Sequence, residues 1–280
     1  KDKDRLKRAF EGIDIIIHSA ALKQVPAAEN NPNEYIKTNI NGAANIIQAA
    51  IENNVKKYFC VSTDKAANPV NMMGASKSIM EMFLMRRSAN INISTARFAN
   101  VAFSDGSLLY GFNKRIEKRQ PIAAPNDVKR YFLTPQESGE LCIMSSIFGE
   151  NRDIFFPKLA EEKDLLSFSD LAIKFLKLKG YEAYICSSED EARKLVRTLP
   201  KQNKWPCFFS TSDTTGEKTI EEFYTTNEIL DMDKFKNLGI IKNNLYFDGA
   251  KLDNFEKSIK KIKSNIPWDK KSIVNEFFKI

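Results

Sequence analysis

The sequence predicts a doubly wound α/β fold, a parallel sheet with helices on both faces, continued by a C-terminal α/β region. Three observations carry this expectation. Short β-branched apolar runs recur along the chain, segments with apolar residues at helical spacing separate them, and the runs end in small or polar residues. The 280 residues are enough to bury a full core, and 42% hydrophobic with 28% charged residues is an ordinary globular composition.

The elements follow in order. GIDIIIHSAA (12–21) is short and β-branched and closes in small residues, so it reads as a buried parallel strand followed by a close-approach turn. Between 31 and 54, Ile36, Ile40, Ala43, Ile47 and Ala50 recur at helical spacing, and Pro32 suits a first helical turn. KKYFCVST (56–63) is the next strand, Met72 to Arg87 the next helix and INISTARF (91–98) the strand after it. Helices are expected near Leu108 to Arg119 and from Pro135 to Phe148, in a region facing a ligand. The strand FFPKL (155–159) then opens a second α/β unit with a helix at 167–180, a strand at 181–188 and a helix at 189–199. The Lys-rich EKSIKKIKSN (256–265) reads as a solvated helix face.

Charge and cysteine usage narrow the function classes. The net charge is +7, but Lys is spread along the chain and forms no basic arm, so no nucleic-acid partner is expected. Four separated cysteines, no CxxC pair and a single histidine, His18, leave no ordinary zinc site, so no metal is expected; they suit a reduced, cytoplasmic setting. Apolar runs such as IDIII (13–17) are far shorter than the roughly 20 residues of a membrane-spanning helix.

The most informative segment is VSTDKAANPVNMMGASK (61–77), where a strand end delivers Ser62, Thr63, Asp64 and Lys65 into one small volume. Strand ends are where such folds place ligands, and an adjacent carboxyl and amine can divide acid and base work within one site. A solvated turn would use the same pair without any chemistry. No GxGxxG turn occurs in the chain.

Together with HSAALKQVPAAENNPNEYIKTNINGAANIIQAA (18–50) and RFANVAFSDGSL (97–108), that segment resembles the bacterial UDP-N-acetylglucosamine 4,6-dehydratases, polysaccharide-biosynthesis members of the extended short-chain dehydrogenases. The resemblance implies a Rossmann-type fold lacking its first βαβ units, with the phosphate-binding turn upstream of residue 1. It divides the chain into a partial NAD(P)-binding domain over 1–104 and a substrate-binding region with a C-terminal α/β extension over 105–280. Implied with it are tightly bound NAD or NADP, a UDP-sugar substrate and a homo-oligomer in the bacterial cytoplasm.

In that family C4 of the sugar is oxidised, water leaves across C5 and C6, and C6 is reduced. By position, Thr63 would bond the C4 hydroxyl, Asp64 would protonate the departing C6 hydroxyl, Lys65 would take the C5 proton, and Lys77 would hold the nicotinamide ribose, reaching toward Thr63 or the cofactor. Met73 stands where the wider superfamily has a proton-accepting Tyr four residues before the Lys, so C4 oxidation must use Thr63 with Asp64, or a water. Ala20, Ala21, Ser62, Phe98 and Asn100 would line the cofactor; Lys23, Asn100 and Ser107 would lie near the substrate, and Arg130 near its diphosphate. His18 is expected to be a hydrogen-bonded structural residue, and Trp205 either a packing residue or a stacking surface for a base. DTTGEKTIEEF (213–223) resembles a Gly-Glu-Lys segment in which relatives carry Arg-Pro where this chain has Thr214 and Thr215. A nucleotide-sugar epimerase or reductase, and a non-catalytic relative, are the alternatives; the Asp64–Lys65 pair favours elimination.

Overall fold

The computed structural model describes residues 2–159, 165–212, 218, 220–243, 248–265, 267 and 269–280. The chain forms two compact units. The first is assembled from Lys1–Phe98, Gly139–Lys158 and Glu222–Ile280, the second from Ala99–Ser138 and Leu159–Glu221. The sequence leads to a single boundary at 104; instead the chain leaves the first unit and re-enters it twice, because later strands complete the first sheet.

In the first unit, β1 (Ile15–His18), β2 (Lys57–Thr63) and β3 (Asn92–Phe98) are parallel neighbours, with Ile16 opposite Tyr58 and Phe59 opposite Ser94. Strands Asp153–Pro157, Leu238–Lys242 and Ile229–Asp231 extend the sheet beyond β3, the first parallel to β3, the second antiparallel to the first, and the third antiparallel to the second. Residues 155–159 were expected to open a second α/β unit. Asp153–Pro157 belongs to the first sheet, where all five residues are buried between β3 and Leu238–Lys242.

Burial follows residue type. β2 and β3 are buried along most of their length, as parallel strands flanked by helices are, although β3 carries the polar Ser94, Thr95 and Arg97 inward. β1 forms one edge of the sheet and buries alternate residues, leaving Ile15 and Ile17 48% and 53% exposed. Helix Met72–Arg87 is buried on most sides; Asn71 caps it by accepting from the Gly74 N–H, and Arg86 and Arg87 sit at its negative end.

The helix expected across 31–54 is interrupted. Pro32–Tyr35 and Asn41–Glu52 flank a π-helical turn, Ile36–Ile40. The turn carries the buried Asn39, whose amide accepts from the Leu22 N–H at 2.8 Å and donates to the Leu22 carbonyl and the Ser76 hydroxyl at 2.9 Å each. A helical register shift thus turns a polar side chain inward to hold the segment after β1.

At the C-terminus, Gly249–Ser264 and Lys270–Phe277 are helices. Lys257, Lys260 and Lys261 are exposed as expected, but Leu252, Phe255 and Ile259 on the same helix join Tyr35, Met72, Met73 and Phe83 in one apolar cluster. The stretch is therefore amphipathic, with its core face hidden in the sequence by the Lys spacing.

The second unit holds a three-stranded parallel sheet, in the order Glu182–Ile185, Lys204–Ser210 and Ile122–Pro125. Helices Leu108–Glu117, Phe168–Leu178 and Glu189–Leu195 accompany it, and Phe112, Ile122, Phe175, Leu176, Trp205 and Cys207 form its core. Residues beyond 161 thus supply two of the three strands.

Candidate functional site

The site begins where β2 ends. Thr63, in extended backbone, caps a single 3-10 turn, Asp64–Ala66. Its hydroxyl donates to Asp64 Oδ1 at 2.8 Å; the same oxygen accepts from the Lys65 N–H at 2.9 Å and from Lys65 Nζ at 3.1 Å. Asp64 is 4% exposed, so its carboxylate is oriented by three donors instead of by bulk water. The solvated-turn reading of this pair does not fit such burial.

Helix Met72–Arg87 docks against the turn through Gly74, where a Cβ would lie 2.5 Å from the Lys65 carbonyl oxygen. Only a glycine lets the two backbones approach so closely. Met73, beside it, is 4% exposed and its side chain belongs to the apolar cluster, so it neither accepts a proton nor faces water. Lys77, one turn further along, does not reach Thr63. Its ammonium donates to the Val61 carbonyl at 2.8 Å and lies 3.7 Å from Met80 Sδ; burial lowers its pKa, against an upward pull from Cys60 and Glu81.

Two polar groups lie beneath the strand ends. His18 Nδ1 is 2.5 Å from the Tyr58 hydroxyl and 3.4 Å from Cys60 Sγ. Burial, reinforced by the Lys77 charge, lowers the His18 pKa to about 4, and burial raises that of Tyr58, so a neutral imidazole accepts the phenolic proton. The structural role expected of His18 agrees with this geometry. Cys60 is buried with a raised pKa, caused first by desolvation, and is an inert thiol.

The second group centres on Arg97, 4% exposed. Its Nη2 is 2.8 Å from Glu81 Oε2 and 2.9 Å from Glu228 Oε1, and its Nη1 donates to the Phe223 carbonyl at 3.0 Å. Burial alone disfavours the charged guanidinium, but Glu81 and Glu228 outweigh it and raise its pKa. Ser62, expected beside the cofactor, donates its hydroxyl to Glu81 at 2.5 Å and is part of this network. The sequence reading missed Glu81, Arg97, Glu228 and Asn39. A charge in the apolar register of a strand, and a carboxylate inside a helix buried all round, were the available signals.

The other expected site residues fall into two groups. Ala20, Ala21 and Lys23 lie on the segment after β1, whose last residue pairs with Cys60, and Phe98 ends β3 opposite Thr63. Asn100, Ser107 and Arg130 belong to the second unit. There Asn100 starts a short strand paired with Phe132–Leu133, and Ser107 caps helix Leu108–Glu117 by accepting from the Tyr110 N–H. Arg130 is buried, donates to the Lys129 carbonyl and pairs with the buried Glu221 at 3.6 Å. Trp205 packs edge-on to Tyr181 and donates its indole N–H to the Gln120 carbonyl, which is the packing role. Thr214, Thr215 and the Gly-Glu that follows lie outside the described residues.

Against this geometry, the chain matches the family described as polysaccharide biosynthesis protein over residues 1–243. It belongs to that family. A Methanocaldococcus jannaschii relative, described as an uncharacterized membrane protein, is 33% identical over 96% of this chain and 79% of its own length. Among the described residues here, no helix is long and apolar enough to cross a membrane. The inverting UDP-N-acetylglucosamine 4,6-dehydratase of Campylobacter jejuni is 39% identical over 58% of this chain and 51% of its own length. The UDP-glucose 4-epimerase of Rickettsia typhi is 36% identical over 66% and 59%. The chain thus spans between half and three-fifths of these two enzymes. Among solved structures, Pen from Bacillus thuringiensis has a TM-score of 0.71 at 26% identity, covering 88% of this chain and 70% of that one. The dTDP-glucose 4,6-dehydratase DesIV from Streptomyces venezuelae, determined with NAD bound, has a TM-score of 0.62 at 15% identity over 79% and 67%, a likeness of fold. The polysaccharide-biosynthesis chain therefore has the α/β fold of nucleotide-sugar dehydratases and epimerases.

Proposed function

We propose that the protein is an NAD(P)-dependent nucleotide-sugar 4,6-dehydratase acting on UDP-N-acetylglucosamine. The observation that carries this reading is the Thr63–Asp64–Lys65 turn, a buried carboxyl and an amine held 3.1 Å apart at the end of a parallel strand. Elimination of water needs an acid for the leaving C6 hydroxyl and a base for C5. Asp64, having received the C4 hydroxyl proton through Thr63 during oxidation, gives it to the leaving hydroxyl, and Lys65 in its amine form takes the C5 proton. Thr63, whose hydroxyl already touches Asp64, positions the C4 hydroxyl.

The residues fit the nicotinamide end of a cofactor. Ala20 and Ala21 leave room near the strand ends, and the buried Lys77 ammonium, anchored by Val61, would hold ribose hydroxyls with its remaining N–H donors. When bound, NAD(P) supplies the hydride acceptor at C4 and the hydride donor at C6. Ser62 offers no spare proton, since its hydroxyl is committed to Glu81. In the second unit, Arg130 and Ser107 remain the residues proposed for the sugar nucleotide, with Arg130 acting from inside its ion pair with Glu221.

A 4-epimerase is the second reading, favoured by the 36% identity to the Rickettsia enzyme. The Asp64–Lys65 pair weighs against it, because inversion at C4 needs no neighbouring acid and base for elimination. The deciding experiment incubates the full-length protein with UDP-N-acetylglucosamine and follows the product by mass spectrometry and NMR. Loss of one water with a 4-keto-6-deoxy signature is the expected result; an isomer of unchanged mass would establish the epimerase instead.

A further inference from the structure

We propose that the second unit carries a separate binding site for a small anion bearing two or more phosphate groups, in a cavity of about 790 Å3 at the N-terminal edge of its parallel sheet. This goes beyond the reaction above and does not depend on it. Pro121, Tyr181 and Trp205, which line the cavity, stand at the starts of the three strands. Ser107 caps the opposite end of helix Leu108–Glu117, a length of about 15 Å, and Arg130 follows the C-terminal end of strand Ile122–Pro125. The cavity is therefore distinct from the residues assigned to the sugar nucleotide, and its volume is within the roughly 300–1,000 Å3 of small-ligand sites.

Charge points to the occupant. Arg119, Arg193, Arg197 and Lys201 line the cavity against one carboxylate, Glu117, which is already paired with Lys114 at 2.7 Å. Arg193 pairs with Glu189 on its own helix, whereas no acid pairs with Arg119, Arg197 or Lys201 among the described residues. The C-termini of Leu108–Glu117 and Glu189–Leu195 also face this edge, and each helix end contributes about half a negative charge. Together they balance roughly one of the three unpaired cations. A surplus of about two positive charges around one concavity favours a ligand of matching negative charge, which a diphosphate provides with paired acceptors for guanidinium forks.

Arg119 brings its charge to the cavity on unusual backbone. Arg119 has φ 50°, in the left-handed region. It ends helix Leu108–Glu117 in a Schellman arrangement, with the Arg119 N–H on the Ile116 carbonyl and the Gln120 N–H on the Arg115 carbonyl at 2.7 Å. Glycine is the residue that adopts this conformation without cost. An arginine here is destabilising for the helix end and places a cation at the cavity instead. The wall behind it is rigid, since buried Trp205 is fixed by Gln120 and Tyr181.

The test titrates inorganic pyrophosphate into the full chain by calorimetry, with orthophosphate and UDP as parallel arms, at low and high salt. Saturable one-site binding is expected, tighter for pyrophosphate than orthophosphate by about tenfold or more and weakened by salt. Arg119→Gly should weaken it by about tenfold while keeping or raising Tm, because glycine relieves the left-handed backbone. Arg197→Gln should weaken it as well, and Lys174→Gln, an exposed lysine of the same unit outside the cavity, should leave it unchanged. UDP competing for the component of pyrophosphate binding that Arg119→Gly weakens would identify the diphosphate of a nucleotide as the source, and UDP failing to compete for that component a free diphosphate. Absence of saturable binding, binding unaffected in the well-folded Arg119→Gly/Arg197→Gln variant, or an equal loss on Lys174→Gln would overturn the proposal.

Discussion

At the end of β2, Thr63, Asp64 and Lys65 bond to one another within three consecutive residues, whereas beneath them Arg97 gathers Glu81 and Glu228 from positions 16 and 131 residues away. Both groups pair a cation with carboxylate in the same unit. The first is open enough that the Lys65 side chain keeps 14% of its surface exposed, and the second is closed, with the Arg97 side chain at 5%. On the proposed function, the difference separates chemistry from stability. A pair at a strand end, held by local bonds, can exchange protons with a ligand, while a pair that joins distant segments fixes where those segments lie and cannot change charge without loss of the fold.

Two substitutions test this contrast from its opposite ends and have the largest expected effects. Lys65→Met should lower the rate of elimination by about 10² to 10⁴-fold, roughly 3–5 kcal/mol of barrier, with Tm little changed. Arg97→Met should instead lower stability by about 3–5 kcal/mol in urea unfolding, because it strands Glu81 inside the protein. If Lys65→Met unfolds the protein as readily as Arg97→Met, the turn is structural and the comparison collapses.

An intermediate effect attaches to His18, which belongs to the closed kind. Its pKa is about 4 when folded against an ordinary 6.5. Between those values the unfolded chain binds a proton that the native protein does not, so stability is full above pH 6.5 and falls as pH drops toward 4. The His18 share of that loss between pH 7 and pH 5 is about 2 kcal/mol. His18→Gln should therefore show a shallower decline than wild type in urea midpoints measured across that interval, and an identical decline would remove His18 from the closed group.

The smallest effect is expected at Met73. Met73→Leu conserves volume in an apolar cluster and should cost less than about 1.5 kcal/mol of stability and no more than about tenfold in rate. A loss of activity as large as that of Lys65→Met, in a well-folded variant, would move the chemistry to a residue that has no proton to exchange and would sink the assignment of the turn.

What the sequence determined by itself was local. The apolar runs at 13–17, 56–63 and 91–98 specify β1, β2 and β3 and their parallel order, because short β-branched runs separated by helical periods have few other ways to pair. The Thr63–Asp64–Lys65 turn was legible for the same reason, since its bonds span one or two residues. Tertiary structure alone decided the rest. Which sheet Asp153–Pro157 would join depended on the open edge of β3, and the π-helical turn at Ile36–Ile40 followed from Asn39 reaching Leu22 and Ser76. Neither contact leaves a mark on the local pattern. Arg97 and Glu81 read in the sequence as ordinary charged residues, and Arg130 as a phosphate ligand, not as half of a buried ion pair. Their burial is set by what packs around them from distant segments, and a one-dimensional pattern records a residue's own polarity but not the partner that makes its burial affordable.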